Sequence, residues 1–224
     1  TVNGQLVIPP GSSSQASGMG GANPTFLEFQ DNRPCPCGDN EKLDIAAITN
    51  SMATRNDNDR FPGFSATQWA NGGGPATTSF PCGRFYVTSI NSGGLTFNIN
   101  GRVALFVDGD MTVGGLSINV VQGAELDLFV RGNLVVNASA SFGPTARPSS
   151  VRTYVGGTLS LNASSSFAGN VYAPNGNVNF TGAATVHGAL YVNRERFEAN
   201  SEVHSDSAIR RAGAACPMPV GGMP

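Results

Sequence analysis

Side chains able to do chemistry are sparse in this chain, and where they occur they come in matched sets. Charged residues make up 12% of the sequence, and of the 13 basic residues only Lys42 is a lysine. Polysaccharide lysis or hydrolysis needs carboxylates gathered on one face with a base or a second acid. The acids in the middle of the chain instead alternate with arginine: Asp108 stands one repeat before Arg131, and Asp127 one repeat before Arg152. That spacing predicts columns of opposite charge, which stabilise modestly and fix register. No catalytic residue is expected. His187 and His204, with Glu202 and Asp206 close by, have the residue types of a metal site, but histidines at a sheet edge are expected to be plain surface groups. Asn56-Asp57-Asn58-Asp59 has the composition of a calcium loop, with Asp57 and Asp59 as ligands, yet it lacks the glycine at position six and the glutamate at position twelve. A helix-ending turn is its expected role, and no other cofactor is expected. The sequons at Asn137, Asn162 and Asn179 are no more than this Asn-, Ser- and Thr-rich composition gives by chance.

The cysteines carry a different chemistry. Cys35 and Cys37 form a C-P-C pair too close and too stiff to bridge each other comfortably. With Cys82 and Cys216 this leaves two connectivities open: Cys35–Cys82 with Cys37–Cys216, or Cys35–Cys216 with Cys37–Cys82. A zinc site wants paired ligands at wider spacing, so oxidation in a secreted or cell-surface setting is the expected fate. Residue 1 is Thr with no charged-then-apolar leader after it, which reads as a mature chain whose targeting segment has been removed.

Composition narrows the classes further. A formal net charge of −2 argues against a nucleic-acid binder. No apolar run approaches the ~20 residues of a membrane-spanning helix. A hydrophobic content of 40% with regularly spaced Val, Leu and Phe can build a core, which argues against disorder. What remains is a turn-rich all-β protein.

The elements that must position these groups are visible as a repeat. Arg84-Phe-Tyr-Val-Thr88, Ala104-Leu-Phe-Val-Asp108, Asp127-Leu-Phe-Val-Arg131, Arg152-Thr-Tyr-Val-Gly156, Asn170-Val-Tyr-Ala-Pro174 and Ala189-Leu-Tyr-Val-Asn193 align without gaps. Their central aromatics fall at intervals of 20, 23, 25, 18 and 19 residues. A period near 20 with short strands predicts one turn of a solenoid per repeat, hence a single-stranded parallel β-helix of about six coils. The expected organisation is an extended arm over 1–34, a capping helix and loop region over 35–82, the β-helix over 83–209 and a tail over 210–224. The helix is expected over 39–53, N-capped by Asp39 or Asn40, either closing the N-terminal end or lying along the outer wall.

Alternation then sorts the faces. If Asp127 and Arg131 meet water, Leu128 and Val130 point inward; the same register buries Phe85, Val87, Leu105, Val107, Val155, Val171, Ala173, Leu190 and Val192, with Thr153 as the polar interruption. It also puts Tyr86, Phe106, Phe129, Tyr154, Tyr172 and Tyr191 on the outward face, a stripe roughly 24 Å long at ~4.8 Å per rung. Such a stripe is covered by the helix or by Phe26-Leu-Glu-Phe29, or meets another copy, or stacks on sugars.

The strings Gly101-Arg-Val-Ala-Leu-Phe-Val-Asp-Gly-Asp110, Ala124-Glu-Leu-Asp-Leu-Phe-Val-Arg-Gly-Asn133, Phe167-Ala-Gly-Asn-Val-Tyr-Ala-Pro174 and Val203-His-Ser-Asp-Ser-Ala-Ile209 resemble an uncharacterised bacterial domain of predicted surface proteins. That domain also occurs in pilus-assembly proteins of the PilX type, and the coil pattern is remotely similar to the polymer-forming bactofilins. The resemblance covers roughly Cys35 to Ile209 and brings no catalytic or ligand residues with it. The expected function is a secreted structural protein that assembles with copies of itself, through its ends, its termini and the stripe, into a filament or surface layer. A strand-like Gln5–Ile8 in the arm could add to a neighbour's sheet edge. A carbohydrate-binding or adhesive module, with surface glycans as partners, is the alternative, and a polysaccharide-degrading enzyme a more distant one.

Overall fold

The computed structural model describes residues 42–205. The arm over 1–34, the strand-like Gln5–Ile8, Phe26–Phe29, Cys35, Cys37, Asp206, Cys216 and the tail over 210–224 lie outside the described residues.

A short helix, α1 (Ile45–Ser51), comes first. It begins later than its apolar spacing suggests. Asp44, not Asp39 or Asn40, is the N-cap, its Oδ1 accepting from the Ala47 N–H at 2.8 Å. The Leu43 N–H donates to the Tyr172 hydroxyl at 2.9 Å, so that backbone group is committed to a distant strand.

The rest is a parallel solenoid. Its first coil is β1 (Thr77–Phe80), β2 (Gly83–Val87) and β3 (Ile90–Ser92); the second is β4 (Leu95–Ile99), β5 (Arg102–Val107) and β6 (Met111–Val113). The third is β7 (Leu116–Val120), β8 (Glu125–Val130) and β9 (Leu134–Val136), and the fourth β10 (Ala140–Phe142), β11 (Val151–Val155) and β12 (Leu159–Leu161). The next two coils run as long bent strands, β13 (Ser165–Phe180) and β14 (Ala184–Phe197), and β15 (Ser201–Ser205) starts a further turn. Each strand pairs in parallel with the one a coil away, giving three walls: β1-β4-β7-β10 continued by the starts of β13 and β14 and by β15; β2-β5-β8-β11 continued by the middles of β13 and β14; and β3-β6-β9-β12 continued by their ends.

Stacking in register turns alternation into columns. Phe85, Leu105, Leu128, Thr153, Val171 and Leu190 form one interior column of the second wall. On this wall the inward side chains of the first five coils are buried, whereas Leu190 and Val192 in the sixth are only partly so. Fully burying such a side chain contributes roughly 1.5–3 kcal/mol, so the columns are the main source of stability. Thr153 is fully buried and its hydroxyl has no hydrogen-bond partner. Corners require close approach: a Cβ on Gly188, whose φ is +138°, would collide with the carbonyl of Gly169 one coil below.

The N-terminal end is closed by the loop between α1 and β1. Phe61, Phe64 and Trp69 pack with Phe80, Phe85 and Phe97, with ring centroids 5.3 Å apart for Phe61–Phe64 and 5.7 Å for Phe64–Trp69. Trp69 is fully buried and donates from Nε1 to the Pro75 carbonyl at 3.2 Å. Asn58, in a 3-10 turn over Asn58–Arg60, treats the edge of β2 as a peptide unit would. Its Nδ2 donates to the Tyr86 carbonyl at 2.8 Å and its Oδ1 accepts the Tyr86 N–H at 3.0 Å. Ala66 and Trp69 carbonyls accept from the Thr88 and Asn91 N–H groups, each at 2.8 Å. The loop, not the helix, is therefore the cap.

Candidate functional site

The second wall carries most of the residues singled out by type and spacing. Its outward column runs Tyr86, Phe106, Phe129, Tyr154, Tyr172 and Tyr191, one per coil. Neighbouring rings stack where coil geometry allows: Phe106–Phe129 at 4.9 Å, Phe129–Tyr154 at 4.4 Å and Tyr172–Tyr191 at 5.2 Å, all nearly parallel. Tyr154–Tyr172 is wider, at 6.1 Å and 52°.

This column points away from the core but is not an open stripe. Residues 42–58 run along it as a strap. Leu43 is tied to Tyr172 in the fifth coil, α1 packs against β8 in the third, and Asn58 grips Tyr86 in the first. Lys42 Nζ adds a bond to Asn175 Oδ1 at 3.1 Å. Tyr86 and Phe106 are consequently buried, at 8% and 4% exposed, the next three rings are half-buried, and Tyr191 at the far end is 50% exposed.

Beside the rings lies the charge network. Arg131 Nε reaches Asp108 Oδ1 at 3.0 Å, and Arg152 Nε reaches Asp127 Oδ1 at 2.5 Å, so both expected pairs meet. Two further members were not visible in the repeat. Arg102 binds Glu125 at 2.6 Å and Asp127 at 2.5 Å, and Arg152 also binds Glu125 at 2.6 Å. Arg102 and Glu125 stand two positions before the aligned strings. A longer alignment window, joining Arg102 to Glu125 in register, is the signal that would have found them.

The environment moves some of these groups. Burial pushes the Asp127 carboxyl up to about 6, against the pull of Arg102 and with a further push from Glu125. Burial, then the hydrogen bond its hydroxyl donates to Asp108 Oδ2 at 2.8 Å, pushes Tyr86 up to about 12. Tyr154 is raised too, by burial and by nearby Asp127.

The other candidate groups are spread over the molecule. Asp57 Oδ2 accepts the Arg84 N–H at 2.9 Å, and the carboxylate pairs with Arg60 at 3.4 Å, while Asp59 is exposed. Asn56 Nδ2 caps carbonyls at the end of α1, Met52 at 2.8 Å and Ala53 at 3.0 Å. The Asn-Asp run thus ends the helix and binds the β2 edge. His187 and His204 stack at 4.6 Å, and His204 Nε2 lies 3.4 Å from Glu202. Among the described residues no three His, Cys, Asp or Glu side chains come together so as to hold a metal ion. Asn162 Nδ2 donates to Asn137 Oδ1 at 3.0 Å, one coil away. Cys82 is not a free thiol. No helix among the described residues is long and apolar enough to cross a membrane.

The C-terminal end contrasts with the cap. β15 pairs with β14 alone, and the outer edge of residues 189–197 of β14 has no strand partner among the described residues. Val203 is 46% exposed there, close in exposure to Tyr191. The interior column Ile90, Met111, Leu134, Leu159, Val178 is continued in register by Glu195, which is exposed on the last described coil.

Known proteins give a family but no named relative. Neither a curated protein nor a solved structure matches the chain significantly. The family model described as a domain of unknown function, DUF7305, matches residues 39–212, a span that takes in the strap, the cap and the whole described solenoid. The chain belongs to the DUF7305 domain family.

Proposed function

We propose that this chain is a structural, self-associating module of a secreted or cell-surface protein, and not an enzyme. One observation carries the reading: among the described residues the C-terminal end keeps unpartnered strand edges and exposed Tyr191 and Val203, while most of the aromatic wall is covered by the chain itself. An open β edge is a template for another chain unless it is blunted. The engagement of Asp108, Glu125 and Asp127 by arginines supports a non-catalytic wall. The resemblance to surface and PilX-type pilus-assembly proteins, and more remotely to bactofilins, supports a role in an extracellular assembly, and the cysteine content supports an oxidising compartment. Sedimentation velocity over a concentration series, with and without reductant, tests it. Concentration-dependent association is the expected result, and a monomer at every concentration overturns it.

The glycan reading rests on Tyr191, whose half-exposed ring stacks on Tyr172 as a small platform. Binding on a glycan array that Tyr191→Ala abolishes is the outcome that would favour it over self-association.

A further inference from the structure

The strap over 42–58 is fixed to the aromatic wall at two places, and the two are not built alike. At the lower end Asp57 and Asn58 bind the edge of β2 much as a strand would. The Asp57 N–H donates to the Arg84 carbonyl at 2.7 Å, Asp57 Oδ2 accepts the Arg84 N–H at 2.9 Å, and the Asn58 amide makes its two bonds to Tyr86. Phe61, Phe64 and Trp69 follow at once and pack into the core, so this end is anchored. At the upper end the described fastenings are the Leu43 N–H on the Tyr172 hydroxyl and Lys42 Nζ on Asn175 Oδ1, both at exposed atoms. Leu43 itself is 48% exposed. Bonds open to water hold least, because water can replace either partner.

Between these ends lies α1, and its buried face carries a defect. Of its seven residues Ile45 and Thr49 are the buried ones. Thr49 is fully buried, yet its hydroxyl has no hydrogen-bond partner. Such a group opposes closure, since it regains its bonds to water when the helix leaves the wall. α1 also lacks an acid in its first turn and a base in its last, and a helix this short does not persist without packing. The turn after α1 is tied to the helix. Arg55 Nε donates to the Ser51 carbonyl at 3.0 Å, and Asn56 Nδ2 donates to the carbonyls of Met52 and Ala53. Residues up to Asn56 therefore belong with α1, and the anchored residues begin at Asp57. The bond from the Asn58 N–H to Asn56 Oδ1, at 3.1 Å, crosses this boundary.

We infer that residues 42–56 are a latch on the aromatic wall, lifting from the Tyr172 end about the step from Asn56 to Asp57 while the solenoid stays folded. Opening of this kind is a local transition that costs less than global unfolding. Closed, the latch leaves Phe129, Tyr154 and Tyr172 half-buried. Open, it bares the stacked rings of Phe106, Phe129 and Tyr154, with centroids 4.9 Å and 4.4 Å apart, as one apolar face. The chain thus gates its own aromatic surface. Thr49 sets the balance, because a valine there has a similar helix propensity and no hydroxyl to strand. The latch does not depend on the self-association reading, since every contact it uses lies within one chain.

Amide hydrogen exchange on the full chain, resolved by residue, tests this in the wild type, Thr49→Val and Tyr172→Phe, with circular dichroism to confirm that each is folded. The bonded amides of Ile48 and Met52 report on α1, and those of β5 and β8 on the solenoid. In the wild type the α1 amides should be less protected than those of β5 and β8 by about a hundredfold or more. Thr49→Val should slow α1 exchange about tenfold and Tyr172→Phe should speed it about fivefold, with β5 and β8 unmoved. Hydroxyl-radical labelling of Phe129 and Tyr154 should follow the same order, which separates lifting from unwinding in place. Equal protection of α1, β5 and β8 overturns the latch, because the helix then opens only with the whole solenoid. Fast α1 exchange that neither substitution alters overturns it as well, and so does ring labelling that is the same in all three proteins.

Discussion

The first and last described coils of the solenoid face the same physical problem, a stack end whose backbone and core must be finished, and they meet it with different side chains. The first coil is finished by shape. Aromatic rings fill the core and Asn58 presents an amide in place of the missing strand. Among the described residues the last coil is polar where earlier coils are apolar: Glu195 and Ser201 stand at the register positions that Val178 and Ala184 hold one coil earlier. Shape withdraws most of an end from contact, since the edges of the second and third walls there already have partners. Polarity only raises the cost of contact, and that cost can be changed by a single substitution. The difference teaches that one β-helix can close one end with packed rings and an amide while its last described coil keeps polar groups at core positions.

Substitutions at the two ends give the sharpest way to break this comparison. Trp69→Ala removes a fully buried indole from the plug and should cost about 3–5 kcal/mol in denaturant unfolding. Phe197→Ala, on a partly buried ring stacked on Phe180 at 4.8 Å, should cost well under half as much. Equal losses would show that the ends are not differently built. Asn58→Ala comes next, because it strands the Tyr86 N–H and carbonyl at a covered edge; about 2–3 kcal/mol is expected. A loss below about 0.5 kcal/mol would mean that water replaces the amide freely.

The wall between the ends supplies internal standards. The folded-state value of Asp127, about 6, lies above its ordinary 3.8, so its charged form opposes folding above pH 6. That opposition fades as pH falls through 6 toward 4. Relative to Asp127→Asn, the wild type should gain about 2 kcal/mol between pH 7.5 and pH 4.5, read from paired urea titrations. A constant difference across that range would show that the arginines, not burial, control the carboxyl. Smallest is Thr153→Val, which swaps an unpartnered buried hydroxyl for a methyl and should raise stability by about 1 kcal/mol. A destabilised variant would mean that the hydroxyl is satisfied after all.

Much of this architecture was legible because charge and alternation fall on the same strands. Asp127 and Arg131 flank Leu128 and Val130, so one decision about which face meets water sorts every coil, and the interior columns follow down to the odd Thr153. The Asp108–Arg131 and Asp127–Arg152 pairs followed from the same register. Long-range contacts that break no pattern were not legible. No period marks the loop after α1, yet its Phe61, Phe64 and the only Trp of the chain, Trp69, were the available sign that it carries core. The start of α1 depends on a bond from Leu43 to Tyr172, 129 residues away, which no helix periodicity encodes. Exposure along the aromatic column is likewise set by the strap and not by the strands that bear the rings.

That strap changes how the solenoid should come apart. A stack of coils in which each touches only its neighbours behaves as a one-dimensional chain and can fray a rung at a time from a weak terminus. A segment fastened at Tyr172 and at Tyr86 bridges coils that otherwise never meet, so their fates are linked. Cutting the upper fastening, for instance with Tyr172→Phe, should turn a single sharp melting transition into a broader, stepwise one. The coil beyond that fastening, which carries Tyr191, lies outside the bridged span and should exchange its amide hydrogens first. One cooperative body with a looser last described rung is the behaviour that these two measurements would reveal.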